Sequence, residues 1–87
     1  MYLHLGKGTV IPKAEIIGIF DLDVTSQSHL TRAFLSGAEK AGEVVNAAED
    51  LPKSFVVCFG RGKRSVILSQ MASATLLKRS ESGAVTI

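Results

Sequence analysis

The stretch from Ser54 to Ser69 constrains this chain most. Two β-rich runs, Ser54 to Phe59 and Ser65 to Ser69, are joined by Gly60-Arg61-Gly62-Lys63-Arg64. Glycines at such a junction supply the positive φ angles of a tight turn, so the pattern predicts a hairpin. The first run, Phe55-Val56-Val57-Cys58-Phe59, is apolar almost throughout. It therefore reads as a central strand covered on both sides, and the rest of the chain has to supply its neighbours and its cover.

Tyr2-Leu3-His4-Leu5 alternates with period two, and β-rich residues resume at Thr9-Val10-Ile11 after Gly6-Lys7-Gly8, a second hairpin signal. Pro12 stops that strand. Glu15 to Asp21 reads as another strand, because β-branched residues dominate it and Gly18 would weaken a helix. Leu30, Ala33, Phe34, Ala38 and Ala41 recur at three- and four-residue spacing behind the N-cap candidates in Thr25-Ser26-Gln27-Ser28. The spacing predicts a helix over Ser28 to Ala41, closed by Gly42 at C′.

Glu43 to Lys53 reads as a loop with a short extended piece at Val44-Val45. Ser73 then stands as the N-cap of a short helix that carries Lys78 and Arg79 in its last turn. Residues 80–87 carry weak signals and read as a tail or a short closing strand. Strands and helices segregate along the chain, which places it in the α+β class. The expected architecture is a small antiparallel or mixed sheet of four to five strands with two helices on one face. A single domain spans residues 1–79, followed by a C-terminal tail.

A chain of 87 residues has room for one core. Since 46% of its residues are apolar, more apolar surface is expected than one small core can bury, and self-association is the least costly way to cover it. No apolar run approaches the ~18 residues of a membrane helix. Met1-Tyr2-Leu3-His4-Leu5 lacks the basic and apolar regions of a secretory signal, so a cytoplasmic address is expected. Cys58, the sole cysteine, lies inside an apolar run and reads as a small core residue.

Chemistry-bearing patterns are incomplete. His4 and His29 fall on different elements with no further ligand at metal spacing. Asp21 and Asp23 flank Leu22 at a strand end, where aspartates more often begin a loop than act as an acid and a base. A phosphate-binding loop needs glycine five positions before its Gly-Lys pair and Ser or Thr after it; Val57 and Arg64 occupy those positions. No catalytic residue, metal, cofactor or small-molecule substrate is expected.

Charge divides the chain. Residues 1–50 carry four cations against seven carboxylates, a net −3, and residues 51–87 carry six cations against one, a net +5. Arg61, Lys63 and Arg64 form a cluster that a hairpin does not itself require. Each can neutralise a phosphate, and copies repeated on an assembly would add their contacts.

The segments Met1 to Gly6, Glu15 to Asp21, Leu51 to Val57, Leu68-Ser69 and Thr75 to Arg79 resemble, in order and spacing, the RemA/RemB extracellular-matrix regulator family of Gram-positive bacteria, closest to the RemB branch. The resemblance implies a cytoplasmic regulator of matrix or biofilm genes. It also implies, from the RemA branch, ring-shaped homo-oligomers that bind DNA around their rim. Arginines just before the central strand take part in that binding in the RemA branch, whereas Glu49-Asp50-Leu51-Pro52 stands here. The expected nucleic-acid-binding residues are accordingly Arg61, Lys63 and Arg64, with Lys53, Lys78 and Arg79 as secondary candidates. An oligomerising protein-interaction module that never touches nucleic acid is the competing expectation.

Overall fold

The computed structural model describes residues 1–22 and 28–82. Six strands and two helices follow in the order β1 (Tyr2–Gly6), β2 (Thr9–Pro12), β3 (Ile16–Asp21), α1 (His29–Lys40), β4 (Val44–Asn46), β5 (Ser54–Gly60), β6 (Lys63–Ser69) and α2 (Ser73–Ser82), with a 3-10 turn at Lys13–Glu15. Strands β1 and β2 form a two-stranded antiparallel sheet. The other four lie in the order β3-β5-β6-β4, with β4 parallel to β6 and the remaining pairs antiparallel. The α+β class and the mixed sheet agree with the expectation from sequence.

Side-chain alternation along β5 explains why the sheet needs two covers. Val56 and Cys58 point to one face and pack with Ile67 of β6, Leu3 and Leu5 of β1, Ala47 and Leu76 of α2. Phe55 and Val57 point to the other and pack with Val66, with Ala38 of α1 and with partly buried Phe34 and Leu35. The helices thus lie on opposite faces of the sheet, not together on one. A strand apolar at every position has to be dried on both sides, and α1 alone dries only one.

The local boundaries follow their chemistry. The Ser28 hydroxyl accepts from the Thr31 N–H at 3.4 Å to open α1, and Gly42, at φ 74°, turns the chain out of it. The candidates Thr25, Ser26 and Gln27, and Asp23 beside them, lie outside the described residues. Helix α2 differs from the expected one at both ends. The Ala72 carbonyl accepts from the Leu76 N–H, which puts Ser73 one position inside the helix, where its hydroxyl lies 3.4 Å from Asp21 Oδ2. The helix then continues to Ser82; the rest of the expected tail or closing strand, 83–87, lies outside the described residues.

Two buried serines join the layers. Ser69 Oγ donates to the Leu5 carbonyl at 2.7 Å and accepts from the Met71 N–H at 3.1 Å, while Ser54 Oγ donates to the Met71 carbonyl at 2.8 Å. They pair across β5 and β6, so one rung of the sheet holds both β1 and the approach to α2. Gly6 sits where β1 passes the loop after β4: at φ 120°, a Cβ there would come 2.6 Å from the Ala47 carbonyl oxygen.

Candidate functional site

The β5–β6 turn is tighter than the sequence suggests. Gly60 pairs with Lys63, which leaves a two-residue loop, Arg61-Gly62. Both loop residues have positive φ, 55° and 75°, as the mirror-image turn favoured in tight hairpins requires. Glycine adopts that geometry freely. Arginine does so at a cost of about 1 kcal/mol, and asparagine or aspartate would suit the place better. The strained position therefore carries a long cation where backbone preference asks for a short polar residue.

The six sequence-predicted cations do not form one patch. Arg61 and Lys63 project from the turn, exposed, and no carboxylate pairs with either among the described residues. Arg64, opposite Phe59, faces α1 instead. Its guanidinium lies 2.9 Å from Glu43 Oε1 and 5.2 Å from the Phe34 ring centroid, which holds it as a brace between β6 and the end of α1. Arg79 lies on α2, where the Lys13 ammonium donates to its carbonyl at 3.1 Å. The Arg79 guanidinium also lies 3.9 Å from Met71 Sδ. Lys78, beside Arg79, is exposed on α2.

Lys53 is not near the turn. It precedes the far end of β5, about 23 Å along the strand from Gly60. There its N–H donates to the Ser69 carbonyl and its own carbonyl accepts from the Leu22 N–H. Glu49 and Asp50 occupy that end as well, with both backbone N–H groups donating to Gln70 Oε1 at 2.7 and 3.3 Å. The charge division of the sequence does not become a clean spatial one: Glu15 and Glu43 stand by the β5–β6 turn, on Gly60 and Arg64, while Lys53 lies at the opposite end with Glu49 and Asp50.

Cys58 is buried, with its thiol pushed up to about 11 from 9.0 by burial and, secondarily, by the Glu15 carboxylate. A thiol held protonated at neutral pH is a poor nucleophile. Iodoacetamide at pH 8 should leave native protein unlabelled and label it fully in denaturant, as mass spectrometry would read. Rapid labelling of native protein would contradict the buried placement. Because the folded value lies above the unfolded one, this group's contribution to stability is present below pH 9 and is lost as pH rises toward 11.

One apolar feature carries no signal that sequence reasoning used. Between α1 and β3 lies a cleft of about 340 Å³, walled by Leu30, Thr31 and Phe34 and by Ile17 and Phe20, with Phe55 and Val57 as its floor. Phe20 stacks on Phe55 at 5.0 Å between ring centroids, and Phe34 lies at 6.4 Å. The exposure of Ile17 follows from a bulge, since Ile16 pairs with Cys58 and Gly18 with Val57, its immediate neighbour. No His, Cys, Asp or Glu cluster that could hold a metal occurs among the described residues, and none of their helices is long and apolar enough to cross a membrane.

A small two-faced α+β domain with a basic hairpin matches a described family over nearly its whole length: residues 2–79 fit the RemA-like family, described as extracellular matrix regulatory protein A-like. The chain belongs to that family. It is also similar to extracellular matrix regulatory protein B of Bacillus subtilis (strain 168), with 33% identity over 81 residues, covering 93% of this chain and 91% of that protein. Family and relative are both named as regulators of the extracellular matrix, as the resemblance in the sequence implied.

Proposed function

We propose that this protein is a non-enzymatic, oligomeric regulator of extracellular-matrix and biofilm gene expression, which binds DNA phosphates in the cytoplasm through the β5–β6 turn of each copy. The observation that carries the reading is the turn itself. Arg61 is kept in a strained left-handed conformation and stands exposed with Lys63; neither forms an ion pair with a described carboxylate, although the Glu15 carboxylate packs against the neighbouring Gly60. Backbone strain often marks functional positions and so supports the reading, although Lys7 in the β1–β2 turn holds a similar φ of 49°.

Arg61 and Lys63 are the primary contacts. Lys78 and Arg79, the latter with its guanidinium on Met71, stand apart on α2 as secondary contacts, Arg64 acts mainly as a brace, and Lys53 lies beside Glu49 and Asp50 at the far end. Binding of this type reads phosphate positions, so sequence preference would come from the shape and bendability of DNA along the assembly.

Salt dependence tests the reading. Two cations on a single copy would lose only about tenfold in affinity between 50 and 200 mM salt, whereas an assembly with six to ten phosphate contacts loses about 10³–10⁵. Light scattering for subunit number, followed by titration of duplex DNA at those two salt concentrations, should give an oligomer and the steep loss. A defined oligomer that ignores DNA at 50 mM would replace this reading with that of a protein-interaction module. The apolar cleft already offers such a module a surface.

A further inference from the structure

Helix α1 leaves a hollow on each of its flanks. One is the cleft toward β3. The other lies at the end of the sheet opposite the β5–β6 turn, a groove of about 260 Å³ between Leu35, Ser36 and Glu39 of α1 and the residues Leu22, Val44, Pro52 and Leu68. Its apolar lining residues are only partly buried, and Leu51, next to Pro52, is 80% exposed.

Carboxylates rim this groove. Glu39 stands on its wall, and Glu49 and Asp50 precede Leu51 and Pro52 in a loop that Gln70 Oε1 pins through their backbone N–H groups. All three acidic residues are exposed, and none forms an ion pair among the described residues. Lys40 and Lys53, their neighbours in the chain, are exposed too and pair with none of them. Negative charge that the fold does not use is thus held around an apolar hollow.

We propose that the groove docks a basic segment of another protein: an extended stretch with lysine or arginine on both sides of one large aliphatic residue. The aliphatic side chain enters the hollow, and the cations meet Glu39, Glu49 and Asp50. Pinning the loop beforehand lowers the cost of ordering it on binding. The volume suits a side chain better than a whole small molecule, whose sites usually span about 300–1,000 Å³. Charge excludes nucleic acid and anionic lipid from this place, since like charges brought together cost affinity. A second copy of this chain fits poorly, because its two free turn cations, Arg61 and Lys63, enclose only Gly62. The inference goes beyond the DNA reading and does not depend on it, for the turn lies at the other end of β5.

Fluorescence anisotropy with labelled peptides and the full chain, at about 50 mM salt, tests it. Lys-Lys-Leu-Lys-Lys should bind at least about tenfold tighter than Lys-Lys-Gly-Lys-Lys, the gain from burying one leucine, and Glu-Glu-Leu-Glu-Glu should not bind. Ser36→Phe fills the groove from an exposed position and Asp50→Lys reverses one charge on its rim. Both should keep the wild-type circular dichroism and weaken the leucine peptide by roughly fivefold or more, while Arg61→Asn should leave its affinity unchanged. Equal affinity for the leucine and glycine peptides overturns the docking site, as does a folded Ser36→Phe that binds like wild type. Spermidine competing as well as the leucine peptide would reduce the site to its charge and overturn it too. A wild-type mass in light scattering that falls with Ser36→Phe would give the groove to a second copy instead. Peptide binding that survives while duplex DNA is ignored upholds this site and sinks the DNA reading alone.

Discussion

Replacing Phe55 with alanine should destabilise the protein by about 3–5 kcal/mol, the range for emptying a buried phenylalanine site. Phe55 is 3% exposed. It stacks on Phe20 at 5.0 Å and meets Phe34 at 6.4 Å, so a single ring couples the edge strand β3 to the helix α1 across the central strand. Alanine would leave a void between two rigid rings that cannot both move into it. The total stability of a domain this size is about 5–10 kcal/mol. Thermal unfolding followed by circular dichroism at fixed protein concentration should therefore show a midpoint lower by about 15 °C or more. A drop below about 5 °C would mean that α1 is not packed on the sheet as described.

Substituting Arg61 with asparagine should separate stability from function. Asparagine tolerates the positive φ that arginine holds under strain, so the fold should gain about 0.5–1 kcal/mol. DNA affinity at 50 mM salt should nevertheless fall about tenfold or more, because every copy in contact with DNA loses a phosphate partner. Combining it with Lys63→Gln should flatten the salt dependence further. Arg64→Ala should do the reverse. It removes the Glu43 pair and the Phe34 contact, costs about 0.5–1 kcal/mol of stability, and changes DNA affinity little. If Arg64→Ala abolished binding while Arg61→Asn did not, the turn would be the wrong site. A stabilised Arg61→Asn that bound DNA as wild type does would leave the strained arginine without a function.

These two expectations rest on different kinds of information. That a basic turn joins two strands is legible in Gly60-Arg61-Gly62-Lys63-Arg64. That its three cations divide, two toward solvent and one onto α1, is not. The division follows from register: Lys63 and Arg64 are neighbours on a strand and so point to opposite faces, and only one face carries α1 with Glu43 at its end. Lys53, a secondary candidate just before the central strand, is carried by that extended strand to the end of the sheet opposite the turn.

The sequence by itself determined what depends on a residue and its near neighbours. Both hairpins, the strand from Ile16 to Asp21 and the limits of α1 at Ser28 and Gly42 come from backbone angles, cap hydrogen bonds and side-chain alternation, all of which act within a few residues. Only the tertiary structure decided what depends on distant segments meeting. The short Val44–Asn46 run became a parallel edge strand because the Val66 N–H was there to donate to the Glu43 carbonyl and the Ala47 N–H to the Leu68 carbonyl. The helices went to opposite faces because β5 is apolar on both, and the α1–β3 cleft opened where the cover supplied by α1 runs out over Ile17 and Phe20. The apolar run of β5 already calls for two covers, but no local pattern says which segment supplies each, since that is settled by which surfaces remain uncovered once the rest of the chain has packed.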